Sequence, residues 1–259
     1  MQMFKDTGNQ RELDRDGAVC IPALNASQIA ELTELYAEVK PVDATGIYSN
    51  IQDQPASLNF RINAKLIDAF RPFIEQHFTN VKVAGSSFLV KHAGGHSQSQ
   101  LHQDYTLVDE SEFLSLSIWC PLVDVDLHNG CLQVIKGTHN MFRHTLRSLN
   151  MPSLYLEFDE RLEEHLTAIP VKAGTAVVYA YNLFHGSKPN ASDETRIAAV
   201  VALTPETAET FHVLKNGENM DVLKVEDRFY CETVPTFRQT GKIRGVEDNT
   251  SARRNHAYS

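Results

Sequence analysis

The chain has 259 residues, 42% of them hydrophobic and 22% charged, with a formal net charge of −9. A chain of this length and balance buries a large core without disulfides or a structural metal. The acidic balance disfavours a nucleic-acid partner, and no segment has the apolar length to cross a membrane. The first ten residues, MQMFKDTGNQ, lack the basic flank and apolar run of a secretory signal, so the expectation is a cytoplasmic protein. The cysteines Cys20, Cys120, Cys131 and Cys231 form no CxxC pair and read as free thiols.

In chain order, the chain opens on DRDGAVCIPAL, a DG followed by an apolar run. LNASQIAELTELYAEVKP predicts a helix. Asn25 or Ser27 caps it, Ile29, Leu32, Leu35, Tyr36 and Val39 form its apolar stripe, and Pro41 stops it. A polar loop, DATGIYSNIQDQPASLN, precedes a second helix expected over 61–78. From about residue 81 the chain breaks into short segments rich in β-branched and aromatic residues: VKVAGSSFLVKH, EFLSLSIWCPLVDV, CLQVIKGTH, TAVVYAYNLFHGS and RIAAVVALTP. Clusters of Gly, Asn, Asp and Pro separate them. The stretch 141–168 interrupts the strands as an insertion with some helix, and DVLKVEDRFYCETVP adds a strand or a lid. The tail SARRNHAYS reads as a frayed terminus. Helices followed by many short strands predict a mainly β sandwich or barrel with flanking helices, in a single domain. Its parts are a helical portion over about 1–80, a core over about 81–205 and an extension over 206–259.

Within LHQDY, His102 and Asp104 sit two residues apart. In a strand they would project to one face, costly to bury unless a metal satisfies both. His185 ends an apolar strand, with Gly186 and Ser187 after it and the turn KPNASDE leading to Arg196. An antiparallel hairpin would bring Arg196 beside His185. Two histidines and a carboxylate on one face of an octahedron leave three positions open, the arrangement of non-haem Fe(II) oxygenases. A 2-oxo acid fills two of them and dioxygen the third, while a guanidinium suits the distal carboxylate of the co-substrate. His139 is an alternative ligand, although a turn after Gly137 and Thr138 suits a structural hydrogen bond.

HQD at 102–104, SLSIWCPLVDV, NGCLQVIKGTH at 129–139, and KAGTAVVYAYNLFHGSKPN with Arg196 beyond it resemble the phytanoyl-CoA dioxygenase family over about residues 12–205. The resemblance implies a double-stranded β-helix (jelly-roll) core and a hydroxylase dependent on Fe(II), 2-oxoglutarate and O2. It makes His102, Asp104 and His185 the iron ligands and Arg196 the co-substrate's salt-bridge partner. Ser187, Trp119 and Lys91 become further co-substrate contacts. Halogenating relatives lack a carboxylate at the position of Asp104, so hydroxylation is favoured here, while desaturation, epimerisation and ring formation stay open. The competing readings are a non-redox metal-dependent jelly-roll isomerase or hydrolase and a non-catalytic binding barrel.

The loops 43–60 and 92–100, the insertion 141–168 and the stretch 206–240 are expected to frame the pocket. His92, His96 and Gln100 are candidates to face substrate. These stretches mix Tyr48, Phe60, Tyr105, Phe229 and Tyr230 with Asn50, Gln52, Arg61 and Gln98, and the acidic net charge without a basic cluster favours a modest polar or amino-acid-like metabolite, or a natural-product intermediate, over a long acyl-CoA.

Overall fold

The structure is a computed structural model that describes residues 2–41, 44–50, 55–142, 145–149, 159–227 and 229–232. The chain runs through α1 (Thr7–Asp16), β1 (Ala18–Pro22), α2 (Ala26–Val39), β2 (Ile47–Ser49), α3 (Ala56–His77) and β3 (Val81–Lys91). It continues with β4 (Ser99–His102), β5 (Leu116–Pro121), β6 (Leu132–Val134), a 3-10 turn (Thr138–Asn140), α4 (Asp159–Glu163) and β7 (Thr167–Ile169). The last elements are β8 (Thr175–Ala180), β9 (His185–Ser187), β10 (Arg196–Pro205), β11 (Thr210–Asn216), β12 (Asn219–Val225) and α5 (Phe229–Glu232).

Two antiparallel sheets face each other as a double-stranded β-helix, so the fold is mainly β with flanking helices. The larger sheet has the order β1-β8-β5-β10-β3-β2 and the smaller β4-β9-β6-β7. The strands of the large sheet read as nearly continuous apolar runs because both of its faces are covered. Ile118, Cys120, Val178, Ala199 and Val201 pack under the helices with Leu35, Ile62, Leu66 and Phe70. The alternate positions Trp119, Val177, Tyr179 and Ala198 turn inward against Leu132 and Val134 of the small sheet.

Helix α2 starts as expected at Asn25, whose side chain and that of Gln28 form a capping box. Of its stripe, Leu32, Leu35, Tyr36 and Val39 are buried and Ile29 is half-buried. Helix α3 begins at Ala56 rather than 61, because the Pro55 carbonyl accepts from the amides of Leu58 and Asn59 and opens the helix inside the supposed loop. Residues 47–49 of that loop also extend β3 as an edge strand. An additional helix, α1, occupies Thr7–Asp16, capped by the Asp6 side chain and closed by Gly17 at φ 81°. The expected hairpin from His185 to Arg196 does not form. After β8 the chain turns at Tyr181–Phe184 and crosses to the small sheet, where β9 pairs with β4 and β6. Strand β10 instead lies between β3 and β5 in the large sheet.

The stretch 206–240 contributes a separate β11–β12 hairpin and the short helix α5, within the described residues. Strand β3 is shaped to receive α5. Its register against β10 shifts between Ala202 and Leu203, leaving Ala84 unpaired beside Gly85. A Cβ on Gly85 would lie 3.0 Å from Tyr230 Cβ, so any larger residue would press on α5 and push it back by a few tenths of an ångström. No helix among the described residues is long and apolar enough to cross a membrane.

Candidate active site

The pairing of β4 with β9 sets His102 directly opposite His185. Their ring centroids are 4.2 Å apart. Asp104 lies just past the end of β4, so strand alternation does not place it as first read. Its peptide N–H donates to Tyr181 O at 2.8 Å, and its carboxylate turns back toward the two rings. Asp104 Oδ1 stands 3.9 Å from His102 Nε2 and 3.7 Å from His185 Nε2. One donor atom from each residue falls within 4.8 Å of the others, an arrangement able to hold a metal ion.

Both imidazoles are oriented by the same device. His102 Nδ1 lies 2.8 Å from Gln100 O, and His185 Nδ1 lies 2.9 Å from Leu183 O. A carbonyl can only accept, so each Nδ1 carries the proton and each Nε2 presents a lone pair to the common centre. Burial, followed by the neighbouring His102 ring, pushes His185 down to about 4, which keeps it neutral and ready to ligate. Tyr179 Oη stands 3.4 Å from His185 Nε2, and burial raises its phenol well above the ordinary value, so it stays protonated.

A cavity of about 370 Å³ opens over the triad. Arg196 lines it from the large sheet, only 2% exposed, and no acidic side chain among the described residues pairs with it. Its Nη1 donates to Leu89 O at 3.3 Å, its Nε is buried without a partner, and its guanidinium carbon stands 5.3 Å from the Trp119 ring centroid. Burial pulls Arg196 down to about 9, so it remains a cation near neutral pH. A buried guanidinium resting only on a ring face and a carbonyl calls for an anion. Ser187 and Trp119 line the same space.

Lys91 does not line the cavity. Its Cα pairs with that of Arg196 across β3 and β10, but its buried ammonium donates to the carbonyls of Ser187 and Lys188. Burial, reinforced by the Arg196 charge, pulls it down to about 7. His92, His96 and Gln100 also lie outside the lining, because the 92–100 loop turns away after β3 and leaves His96 and Gln100 exposed. His139 is buried in the 3-10 turn against Gly17, apart from the triad. Among the aromatics, Tyr105 and Tyr230 line the cavity, whereas Phe60 is exposed and Tyr48 and Phe229 pack into the core. Asn50 braces β3 through Phe88 N, and Arg61 pairs with Glu38 at the surface. Gln98 is exposed, and Gln52 lies outside the described residues.

Sequence reasoning missed Arg147, Tyr179, Tyr181 and Ser148, all in the cavity wall. Tyr179 and Tyr181 stand in the quoted strand segment, where inward alternation was the available signal. Arg147 carried none.

The phytanoyl-CoA dioxygenase (PhyH) family model matches residues 13–198. The chain belongs to the phytanoyl-CoA dioxygenase family. Enzymes of this family use Fe(II), 2-oxoglutarate and O2. The phytanoyl-CoA dioxygenase of Arabidopsis thaliana is 28% identical over 118 residues, covering 45% of this chain and 42% of that protein. The chain spans about half the length of the curated relatives it matches. Among solved structures, the non-haem alpha-ketoglutarate-dependent carbocyclase SnoK from nogalamycin biosynthesis is 21% identical, with a TM-score of 0.57 over 79% of this chain and 86% of its own. EctD from S. alaskensis, solved with 2-oxoglutarate and 5-hydroxyectoine, is 20% identical, with a TM-score of 0.55 over 79% of this chain and 78% of its own. At these identities the two likenesses show the fold.

Proposed function

We propose that the chain is an Fe(II)- and 2-oxoglutarate-dependent dioxygenase that hydroxylates an unactivated C–H bond of a small metabolite or natural-product intermediate. His102, Asp104 and His185 hold the iron, Arg196 takes the distal carboxylate of 2-oxoglutarate, and Ser187 and Trp119 flank that carboxylate. The donor set fits a ferrous ion, with two imidazoles, one carboxylate and open space beside them. When bound, the metal and co-substrate supply oxidative chemistry in which 2-oxoglutarate and O2 become succinate and CO2 and one oxygen atom enters the substrate. The protein orients the two Nε2 atoms through the Gln100 and Leu183 carbonyls. It also holds a cation where the co-substrate's charge ends, and surrounds the reacting space with apolar surface that excludes water.

One observation carries this reading: a buried guanidinium without an acidic partner, among the described residues, opens into the same cavity as the triad. A non-redox isomerase or hydrolase has no 2-oxo diacid to anchor and does not require it. The cavity wall away from Arg196 includes Tyr105, Tyr181, Tyr230, Leu107 and Ala84, a surface suited to a compact molecule with apolar or ring-bearing parts. The test is succinate release by the purified chain across a panel of small metabolites, with iron-free and anaerobic controls and product masses. Stimulated release with a product one oxygen heavier supports hydroxylation, whereas a loss of two hydrogens would move the assignment to desaturation or ring formation. Tight zinc binding with no turnover of 2-oxoglutarate would favour the non-redox reading.

A further inference from the structure

Asp104 is held by its backbone at both ends. Its N–H donates to Tyr181 O at 2.8 Å, and its C=O accepts from Arg147 Nε at 2.5 Å. Arg147 comes from the insertion between β6 and β7. Among the described residues, its other guanidinium contacts are Nη2 to Glu110 Oε1 at 2.5 Å and Nη1 to Thr145 O at 2.7 Å. Its own N–H donates to Thr106 Oγ1 at 3.0 Å, and its C=O accepts from Thr106 N at 3.1 Å. Both members of the Arg147–Glu110 pair are buried, and the next residue, Ser148, donates to Val213 O of β11. Arg147 thus joins the insertion, the segment after β4 and, through its neighbour, the C-terminal hairpin.

We propose that Arg147 is a positioning residue for the metal site, its planar fork fixing the Asp104 peptide so that the carboxylate meets the two Nε2 atoms. The inference rests on reading His102, Asp104 and His185 as the metal centre. A surface arginine would suffice to tether a loop, but a buried ion pair is retained at a desolvation cost that a purely structural contact does not require. The guanidinium reaches Glu110 Oε1 and the Asp104 carbonyl at once through nitrogens in one plane, while Glu110 Oε2 stays buried without a partner among the described residues. A lysine ammonium on a flexible stem keeps the charge beside Glu110 without that fork.

The experiment is Co(II) titration of the metal-free full chain, read by visible absorption, with thermal melting alongside. Two variants are compared with the unaltered chain: Arg147→Lys, and the double variant Arg147→Met with Glu110→Leu, which exchanges the buried charge pair for apolar bulk. Expected is a loss of Co(II) affinity of about 10- to 100-fold in both variants, the range seen when partners that orient ligands are removed. The ligand-field spectrum should change while the melting temperature of the double variant is retained. Unchanged affinity and spectrum in both variants would overturn the inference, as would affinity lost only in proportion to melting temperature. An unaltered chain that binds no Co(II) would instead remove the metal-centre reading itself, and this inference with it.

Discussion

The guanidinium of Arg196 stands 5.3 Å from the ring centre of Trp119, which is the chain's single tryptophan. The proposed co-substrate carboxylate would arrive beside that cation, so intrinsic fluorescence reads this part of the cavity directly. Adding 2-oxoglutarate to the protein loaded with Mn(II) in place of iron should change the emission saturably. Replacing Arg196 with Met removes a charge-assisted pair of about 3 kcal/mol, so the midpoint should rise about 100-fold. A midpoint that stays within twofold would place the distal carboxylate elsewhere.

His212 supplies a pH dependence outside the triad. It is 3% exposed, faces the Tyr230 hydroxyl at 3.1 Å and the Phe229 ring, and burial pushes it down to about 4. Its ordinary value is near 6.5, so between pH 6.5 and 4 the unfolded chain takes up the proton and the folded chain does not. Stability is therefore level above about pH 6.5 and falls as the pH drops through this window. The contribution of His212 between pH 7 and 5 is about 2 kcal/mol. Urea unfolding of the metal-free chain should show a shallower fall for His212→Asn. The slope is reduced and not abolished, because His185 is depressed in the same direction.

Gly17 explains the DG at the start of the chain. It closes α1 with its N–H on Leu13 O at 2.8 Å, and a Cβ there would lie 2.5 Å from His139 Nδ1 and 2.6 Å from Leu183 Cδ1. Gly17→Ala combines a left-handed backbone with overpacking, together about 3 kcal/mol. A melting temperature lower by roughly 6–12 °C is expected. An unchanged melt would mean that the helix end and the turn of His139 do not meet as described.

Tyr230 comes from beyond the stretch matching the family model and forms part of the cavity wall. Its hydroxyl donates to Phe211 O at 2.9 Å, and its ring lies 5.5 Å from that of Tyr105. Tyr230→Phe keeps the ring and loses both that hydrogen bond and the contact with His212 Nδ1, together about 2 kcal/mol. Tyr230→Ala opens the wall at a cost of about 3–5 kcal/mol. Once a substrate is found, the Ala variant should favour bulkier analogues in relative kcat/KM while the Phe variant keeps the original order. The same order in both would show that the ring does not bound the substrate.

The candidate site residues that line one cavity could be picked out because their spacing and neighbours restrict them: an imidazole and a carboxylate two apart, then HGS, then an arginine after a turn. The α2 boundaries were legible because Asn25, Gln28 and the apolar stripe act locally. The route of the chain was not. Nothing local to Tyr181–Phe184 announces that the strand leaves one sheet for the other, so a hairpin looked natural and Arg196 was expected beside His185, whereas the two line one cavity from different sheets. Lys91 reads as a strand-end cation, and only the approach of the Ser187 and Lys188 carbonyls explains its burial. Arg147 was invisible for a related reason. Its partners are a carbonyl and a carboxylate 43 and 37 residues away, and carbonyls have no side-chain identity to read.

His102 and His185 ride on the small sheet, while Arg196 and Trp119 belong to the large one. On the proposed reading, the gap across the sandwich would act as a ruler, gauging a diacid by the span from its keto end to its far carboxylate. A homologue one carbon shorter or longer, such as oxaloacetate or 2-oxoadipate, would reach one anchor and miss the other, so selectivity for chain length follows from how far apart two layers of backbone are stacked.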